Sequence, residues 1–432
     1  MLESLFKLRE LGTDVRTEAI AGLTTFLAMA YIIFVNPSIL AAAGMDQGAV
    51  FVATCFAAAI GCFIMGLYAN YPIALAPGMG LNAYFAFTVV GAMGMPWQVA
   101  LAGVFMSGVL FVIITVAGIR ELLVRSIPRS LKFAISAGIG LFLGIISLKN
   151  AGIVVASPAT LVTLGDLHKP EPLLALAGFF AIVALDHRKV TGAVILSILG
   201  VTAAAIALGH ITFTGLVSAP PSIMPTLGQL DFAGALHAGL FGVVLTFFLV
   251  ELFDATGTML GVANRAKLLD ADGNMPRMGK ALLADSSAIV IGSVLGTSST
   301  TAYIESAAGT AAGGRSGLTA VVVGVCFLAA LFFAPLAGMV PAYATAPALL
   351  YVAVLMAQEV SHIEWEDLTE AIPAGLTAIV MPLTFSIANG IAFGFISYVA
   401  IKVLAGRGRD VSAMVWVIAA LFVIRFAFFA GH

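Results

Sequence analysis

The stretch Ala74–Phe87, ALAPGMGLNAYFAF, decides how this sequence is read. It lies in an apolar run, residues 71–92, long enough to cross a membrane, yet Pro77, Gly78 and Gly80 interrupt it and polar Asn82 follows. Proline removes a backbone donor and glycine is a poor helix former, so a continuous helix is not expected. A second such stretch, GTSSTTAYIESAAGTAAGG at Gly296–Gly314, sets Ser298, Ser299, Thr300 and Thr301 before Tyr303 and Glu305. Irregular backbone at membrane depth survives only where it lines a cavity or packs on protein. Two broken spans in corresponding positions of two halves point to a binding site near the bilayer midplane, with half-helix N-termini offering free N–H groups to a polar ligand.

The remainder of the 432 residues agrees. Hydrophobic side chains make up 61% and charged ones only 10%, against roughly 25% charged in soluble domains. An all-α integral membrane protein is expected. Apolar segments fall near 17–40, 48–69, 71–92, 97–118, 129–147, 172–186, 190–209, 236–262, 281–296, 299–314, 316–338, 343–358, 369–386 and 387–405. We count about fourteen transmembrane segments, with 412–430 as a possible extra one and 369–405 short enough to be two partial crossings. The N-terminal MLESLFKLRELGTDVRTE is charged and amphipathic, with no short apolar core and cleavage site after it. Residues 1–16 are therefore read as a cytoplasmic segment at the interface rather than a signal peptide.

Basic residues test this map. With the N-terminus inside, all 20 Lys and Arg except Lys149, Lys169 and Arg425 fall on the cytoplasmic side, as the positive-inside rule requires. That tally includes Arg120 and Arg125. There is no basic tail, so nucleic acid is not an expected partner. Cys55, Cys62 and Cys326 sit in apolar runs without metal-ligand spacing. No metal, cofactor, phosphate loop or nucleophile–base pair can be picked out, which argues against an enzyme.

The two halves also resemble each other. LTTFLAMAYI (Leu23–Ile32) is similar to LTFFLVELFD (Leu245–Asp254), and LNAYF (Leu81–Phe85) to TTAYI (Thr300–Ile304), at nearly equal offsets close to half the chain. With seven spans in each of 17–209 and 236–430, an odd number, the second half must insert upside down. That is a 7+7 inverted repeat, the architecture of secondary transporters.

Acids carry the functional signal. In VELFDATGTMLG (Val250–Gly261), Glu251 and Asp254 sit mid-span, where a charge costs about 2.5–3.5 kcal/mol on insertion scales. Their i, i+3 spacing places them on roughly one helix face. With Asp285 and Glu305 they make four membrane acids beside two broken spans. A lone buried acid is often only a hydrogen-bonding plug; four in this setting read as function. Asp254 is the first choice for a ligand-binding acid, faced by Glu305, and Glu251 is a coupling or supporting acid. Asp285 lies nearer its span's start, where an interhelix hydrogen bond serves as well as a transport role. Asn82 offers both donor and acceptor groups, and Tyr84, Phe85 or Tyr303 could stack on a ring or simply pack. His187 and His237 read as interfacial.

Together, APGMGLNAYF, ELFDATGT and TTAYIESAAGT, in this order, resemble the AzgA-like branch of the nucleobase–ascorbate transporter superfamily (NCS2), the guanine/hypoxanthine/adenine permeases. The similarity begins at GLTTFLAMAYIIFVNP (Gly22) and runs through the tenth span. The resemblance implies a core domain of spans 1–4 and 8–11 (17–118, 236–338) moving against a gate domain of spans 5–7 and 12–14 (129–209, 343–430). It also implies proton symport driven by the proton gradient without a cofactor, a homodimer, and a multi-pass place in the bacterial inner membrane. The family's eighth-span acid–x–x–Gly falls on Asp254 and Gly257, its tenth-span acid on Glu305, its ninth-span aspartate on Asp285 and its third-span asparagine on Asn82. The implied binding set is Asp254, Glu305, Asn82, Thr25, Ala83, Tyr84, Phe85, Tyr303 and Ile304, and the proton-coupling set is Glu251, Asp254 and Asp285. Uracil and xanthine members carry His or Asp where Thr258 stands, and some carry a first-span His where Thr24–Thr25 stand. The expected function is import of purine nucleobases; another nucleobase or a small anion on the same fold is the alternative, and a passive channel is a third class.

Overall fold

Apolar runs become helices nearly residue for residue. The computed structural model describes residues 2–119, 126–237, 240–270 and 275–428; Arg120 and Arg125 lie outside them. The first half forms α1 (Val15–Met29), α2 (Ile32–Ala41), α3 (Gln47–Ile64), β1 (Leu75–Pro77), α4 (Met79–Ala83, continued as π-helix to Ala92) and α5 (Trp97–Val116). It continues with α6 (Arg129–Asn150), a hairpin of β2 (Val154–Ser157) and β3 (Leu161–Leu164), α7 (Pro170–His187) and α8 (Ala193–Ala207). The second half forms α9 (Phe241–Arg265), α10 (Met278–Leu295), β4 (Thr300–Ala302), α11 (Ser306–Ala311) and α12 (Gly317–Ala330). It ends with α13 (Ala342–Ala357), α14 (Leu368–Leu383), α15 (Ile387–Leu404) and α16 (Ala413–Phe428). Among the described residues, ten helices are long and apolar enough to span a membrane, and four shorter apolar ones accompany them.

The segment at 299–314 is broken, as its residues lead one to expect, into a strand and a six-residue helix. Two details differ from the sequence reading. The first span is two helices, because α1 ends at Met29 and α2 starts at Ile32. The string match of LNAYF to TTAYI does not mark equivalent structure: Leu81–Phe85 is helical whereas Thr300–Ala302 is extended. Short apolar strings coincide by composition; what the two stretches share is a strand each, β1 and β4, and these pair with each other.

Caps fix the helix starts. Asp14, Asp46, Ser316, Asp367 and Ser386 each accept a hydrogen bond from a backbone N–H in the first turn of α1, α3, α12, α14 and α15. The strands answer a different need. Backbone groups in the hydrocarbon region must be paired internally, and the two non-helical stretches pair with each other. β1 and β4 run antiparallel with Leu75 opposite Ala302, Ala76 opposite Thr301 and Pro77 opposite Thr300. Gly78 N–H donates to Ser299 O at 2.8 Å and Tyr303 N–H to Ala74 O at 3.0 Å, extending the ladder at both ends.

The densest packing falls into two sets. In one, α12 packs on α1 and α3, and α10 on α3 and α5; in the other, α6 packs on α13 and α14, α14 on α15, and α7 on α8 and α13. Small residues allow the close approaches expected between membrane helices: a Cβ on Gly317, at the start of α12, would collide with the Gly66 backbone just past α3.

Glu18, not among the four acids singled out above, is 0% exposed. Its carboxylate accepts from the N–H groups of Arg315 (2.8 Å), Ser316 (3.2 Å) and Thr319 (3.2 Å) and from the Thr319 hydroxyl (2.6 Å). It thus ties α1 to the N-terminus of α12, whose first N–H groups need partners outside the helix. Removing it in Glu18→Ala strands those donors, and we expect a loss of about 3 kcal/mol or more, measured as a lower midpoint of thermal unfolding in detergent. An unchanged midpoint would show that water replaces the carboxylate without penalty. A second charged cluster holds α14 and α15 together: the buried Lys402 lies 2.8 Å from Glu370 and 3.9 Å from Asp367. Arg407 hydrogen-bonds Asp367 at 2.7 Å and holds its carboxyl well below the usual carboxylate range.

Candidate functional site

Crossing of β1 and β4 places the two broken spans against each other, and α9 lies beside both β4 and α11. Side chains lock this crossing. Tyr303 hydroxyl donates to Pro77 O at 2.5 Å, and Ala74 N–H donates to Ser306 Oγ at 2.9 Å. Each half therefore holds the other's irregular backbone in place. Of the half-helix N-termini expected from the sequence, the one at α4 has its Gly78 N–H bonded to Ser299 O, and the one at α11 belongs to a helix of only six residues. Aligned peptide dipoles add up over the length of a helix, so a helix this short brings few of them to bear.

The four acids gather around the crossing in different environments. Glu251 is 1% exposed; its Oε2 accepts from Ser299 Oγ at 2.5 Å, and its Oε1 has no hydrogen-bond partner among the described residues. Asp285, on α10, accepts from the Ala302 N–H at 3.2 Å and so supports the end of β4. Glu305 is partly exposed and accepts from Tyr31 Oη at 2.5 Å. Asp254, one turn after Glu251, is exposed and has no hydrogen-bond partner among the described residues. It lies near enough to Asp285, Glu305 and Tyr303 to interact with them electrostatically. One face of α9 thus carries one carboxylate turned into the crossing and one left open.

Asn82 is fully buried, its Nδ2 donating to Asn36 Oδ1 at 2.6 Å. Thr25 is buried against Gly309 of α11, its hydroxyl without a hydrogen-bond partner among the described residues, and Ala83 is buried beside Asn82. Ile304 is 51% exposed next to Glu305. The aromatic candidates are all enclosed. Tyr84 meets Phe247 edge-on, with ring centroids 5.1 Å apart, Phe85 is in the core, and Tyr303 is spent on Pro77. The structure therefore brings Asp254, Glu251, Asp285, Glu305 and Tyr303 together and buries Tyr84 and Phe85 in the neighbouring core. Residues the sequence reading missed are Tyr31, which sits in the α1–α2 break, and Asn36, Thr54 and Ser306. Asn36 carried a usable signal: an amide in an apolar span costs enough to need a reason, the same argument applied to the acids. Among the described residues no group of three or more His, Cys, Asp or Glu could hold a metal ion.

Comparison with known proteins follows the same line. Residues 16–393 match the Permease family (Xan_ur_permease). The adenine permease AdeP of Escherichia coli (strain K12) is 52% identical over 432 residues, covering 100% of this chain and 97% of AdeP. The guanine/hypoxanthine permease PbuG of Bacillus subtilis (strain 168) is 46% identical over 439 residues, covering 99% of this chain and 100% of PbuG. In solved structures, the transmembrane domain of a cyanobacterium bicarbonate transporter, BicA, superposes with a TM-score of 0.65 at 16% identity, covering 88% of this chain and 97% of that one. SLC26A9 gives a TM-score of 0.66 at 10% identity, covering 94% and 68%. The fold is shared with these distant carriers, while sequence identity of about half across the full length places the chain in the Permease family, in its NCS2 purine permease branch.

Proposed function

We propose that this protein is a proton-coupled symporter that imports purine nucleobases (hypoxanthine, guanine or adenine) across a bacterial inner membrane. The names of its relatives support the substrate class. The observation that carries the mechanism is the contrast on α9, with Asp254 open and unpaired and Glu251 closed against Ser299. An open carboxylate accepts hydrogen bonds from planar N–H groups, and a carboxylate kept from water favours its protonated form as a general rule. In this reading Asp254, with Glu305 and Asn82, holds the purine, and Glu251, supported by Asp285, carries the coupling proton.

The finer architecture belongs to the same proposal. The antiparallel β1–β4 pair supports two inverted seven-span repeats meeting at a pseudo-two-fold axis. The two packing sets support a core that holds the site and a gate against which it moves. The protein works as a homodimer with its N-terminus in the cytoplasm.

The test is labelled hypoxanthine uptake into proteoliposomes with and without an inward proton gradient, competed with guanine, adenine, xanthine and uracil. We expect gradient-stimulated uptake, inhibited by purines of this set. Uptake of no purine, or uptake indifferent to the gradient, would overturn the substrate or the coupling respectively.

A further inference from the structure

We infer that Asn36 is a positioning residue that fixes which end of the Asn82 amide a ligand meets, so that the site selects a purine edge with an N–H at that point. The inference rests on the proposed function, in which Asn82 contacts the base. Its ground is a chain of hydrogen bonds whose direction can be read from one end to the other.

Asn36, on α2, and Asn82, on α4, are both 0% exposed. The Asn36 amide nitrogen is 2.7 Å from Thr54 Oγ1 and 2.9 Å from Thr297 Oγ1. An amide can be turned end for end unless a neighbour decides. Here Thr54 decides. Its single hydroxyl hydrogen is given to the Val50 carbonyl of α3 at 2.6 Å, so toward Asn36 its oxygen can only accept. The end of Asn36 facing Thr54 must therefore be the NH2, and both of its N–H bonds are used by the two threonines. What remains is Asn36 Oδ1, which can only accept, and it receives Asn82 Nδ2 at 2.6 Å. The Asn82 amide is thereby oriented with its carbonyl turned away from Asn36, and the buried Asn82 Oδ1 has no hydrogen-bond partner among the described residues.

A buried acceptor held without a partner rewards a donor and penalises another acceptor. Purines differ in this respect along their edges: hypoxanthine has N1–H and a carbonyl where adenine has a bare N1 and an amino group. Thr297 belongs to the run preceding β4, so the lock forms only when parts of both halves are in place.

The test uses the purified full-length protein and equilibrium binding of hypoxanthine, adenine, 7-methylhypoxanthine and 9-methylhypoxanthine. The wild type is expected to reject at least one of the latter three by about tenfold or more relative to hypoxanthine. Asn36→Leu and Thr54→Val free the Asn82 amide to turn, and the same ratio should fall below about threefold; Thr54→Ser, which keeps the hydroxyl, should retain it. A purely structural role would weaken all four bases alike and leave the ratios unchanged. Unchanged ratios in Thr54→Val, or a wild type that treats all four bases alike, would overturn the inference. Asn36→Leu is read in the same way if it folds, and Thr54→Val decides if it does not. A wild type that binds no purine at all would overturn the function beneath it, and the inference with it.

Discussion

Replacing Asp254 by Asn should abolish measurable purine binding while leaving the protein as stable as the wild type. The substitution puts an amide donor where the ligand's N–H needs an acceptor and removes the charge that strengthens that bond. Hydrogen bonds to charged groups contribute about 1.5–3 kcal/mol each, so two of them correspond to a loss of affinity of at least about a hundredfold. Stability should not follow, because Asp254 is exposed and makes no hydrogen bond among the described residues. Binding of labelled hypoxanthine and thermal unfolding, measured on the same preparation, separate the two effects. Affinity within threefold of the wild type would remove Asp254 from the site and shift the role to Glu305 or Glu251.

Glu251→Gln should give the opposite pattern. Gln keeps an acceptor for Ser299, whose hydroxyl lies 2.5 Å from the carboxylate, so the crossing of β1 and β4 stays supported. What it removes is a group able to take up and release a proton. Equilibrium binding and purine exchange across the membrane should remain within about threefold, since no ligand contact is assigned to this residue. Accumulation driven by an inward proton gradient should fall to the level seen without one. Persistent gradient-driven accumulation in this variant would clear Glu251 of the coupling role and leave Asp285 as the next acid to test.

Much of this was legible in the sequence, and the reasons differ by residue. Helix positions followed from hydropathy because a membrane offers the backbone almost no alternative; even α16 was visible at 412–430. The breaks at Pro77–Gly78 and Ser298–Thr301 were legible for the same reason inverted, since runs of those residues propagate a helix poorly. The α1–α2 break was not, because Ala30 and Tyr31 are unremarkable in local propensity and the contact made at the turn, Tyr31 with Glu305, is remote in sequence. The four acids stood out by their energetic cost, yet Glu18 did not, lying at a span's edge where charge is ordinary. The aromatic residues show the limit most clearly. Tyr84 and Tyr303 look interchangeable in a string, and only the fold sends one to pack on Phe247 and the other to bond Pro77. The network through Asn36 links four segments, and no local pattern in any one of them signals the other three.

The pairing of Leu75 with Ala302 also has a consequence for biogenesis. Chains are made from the N-terminus, and domains generally fold as they emerge. Here the extended run at Leu75–Pro77 waits for its partner until more than two-thirds of the protein has been synthesised, with its backbone groups unpaired in the meantime. Contacts so distant along the chain form late and leave intermediates exposed. A nascent chain arrested before Thr300 should therefore insert helices yet remain a target for membrane quality control, and the two halves expressed as separate polypeptides should stabilise each other.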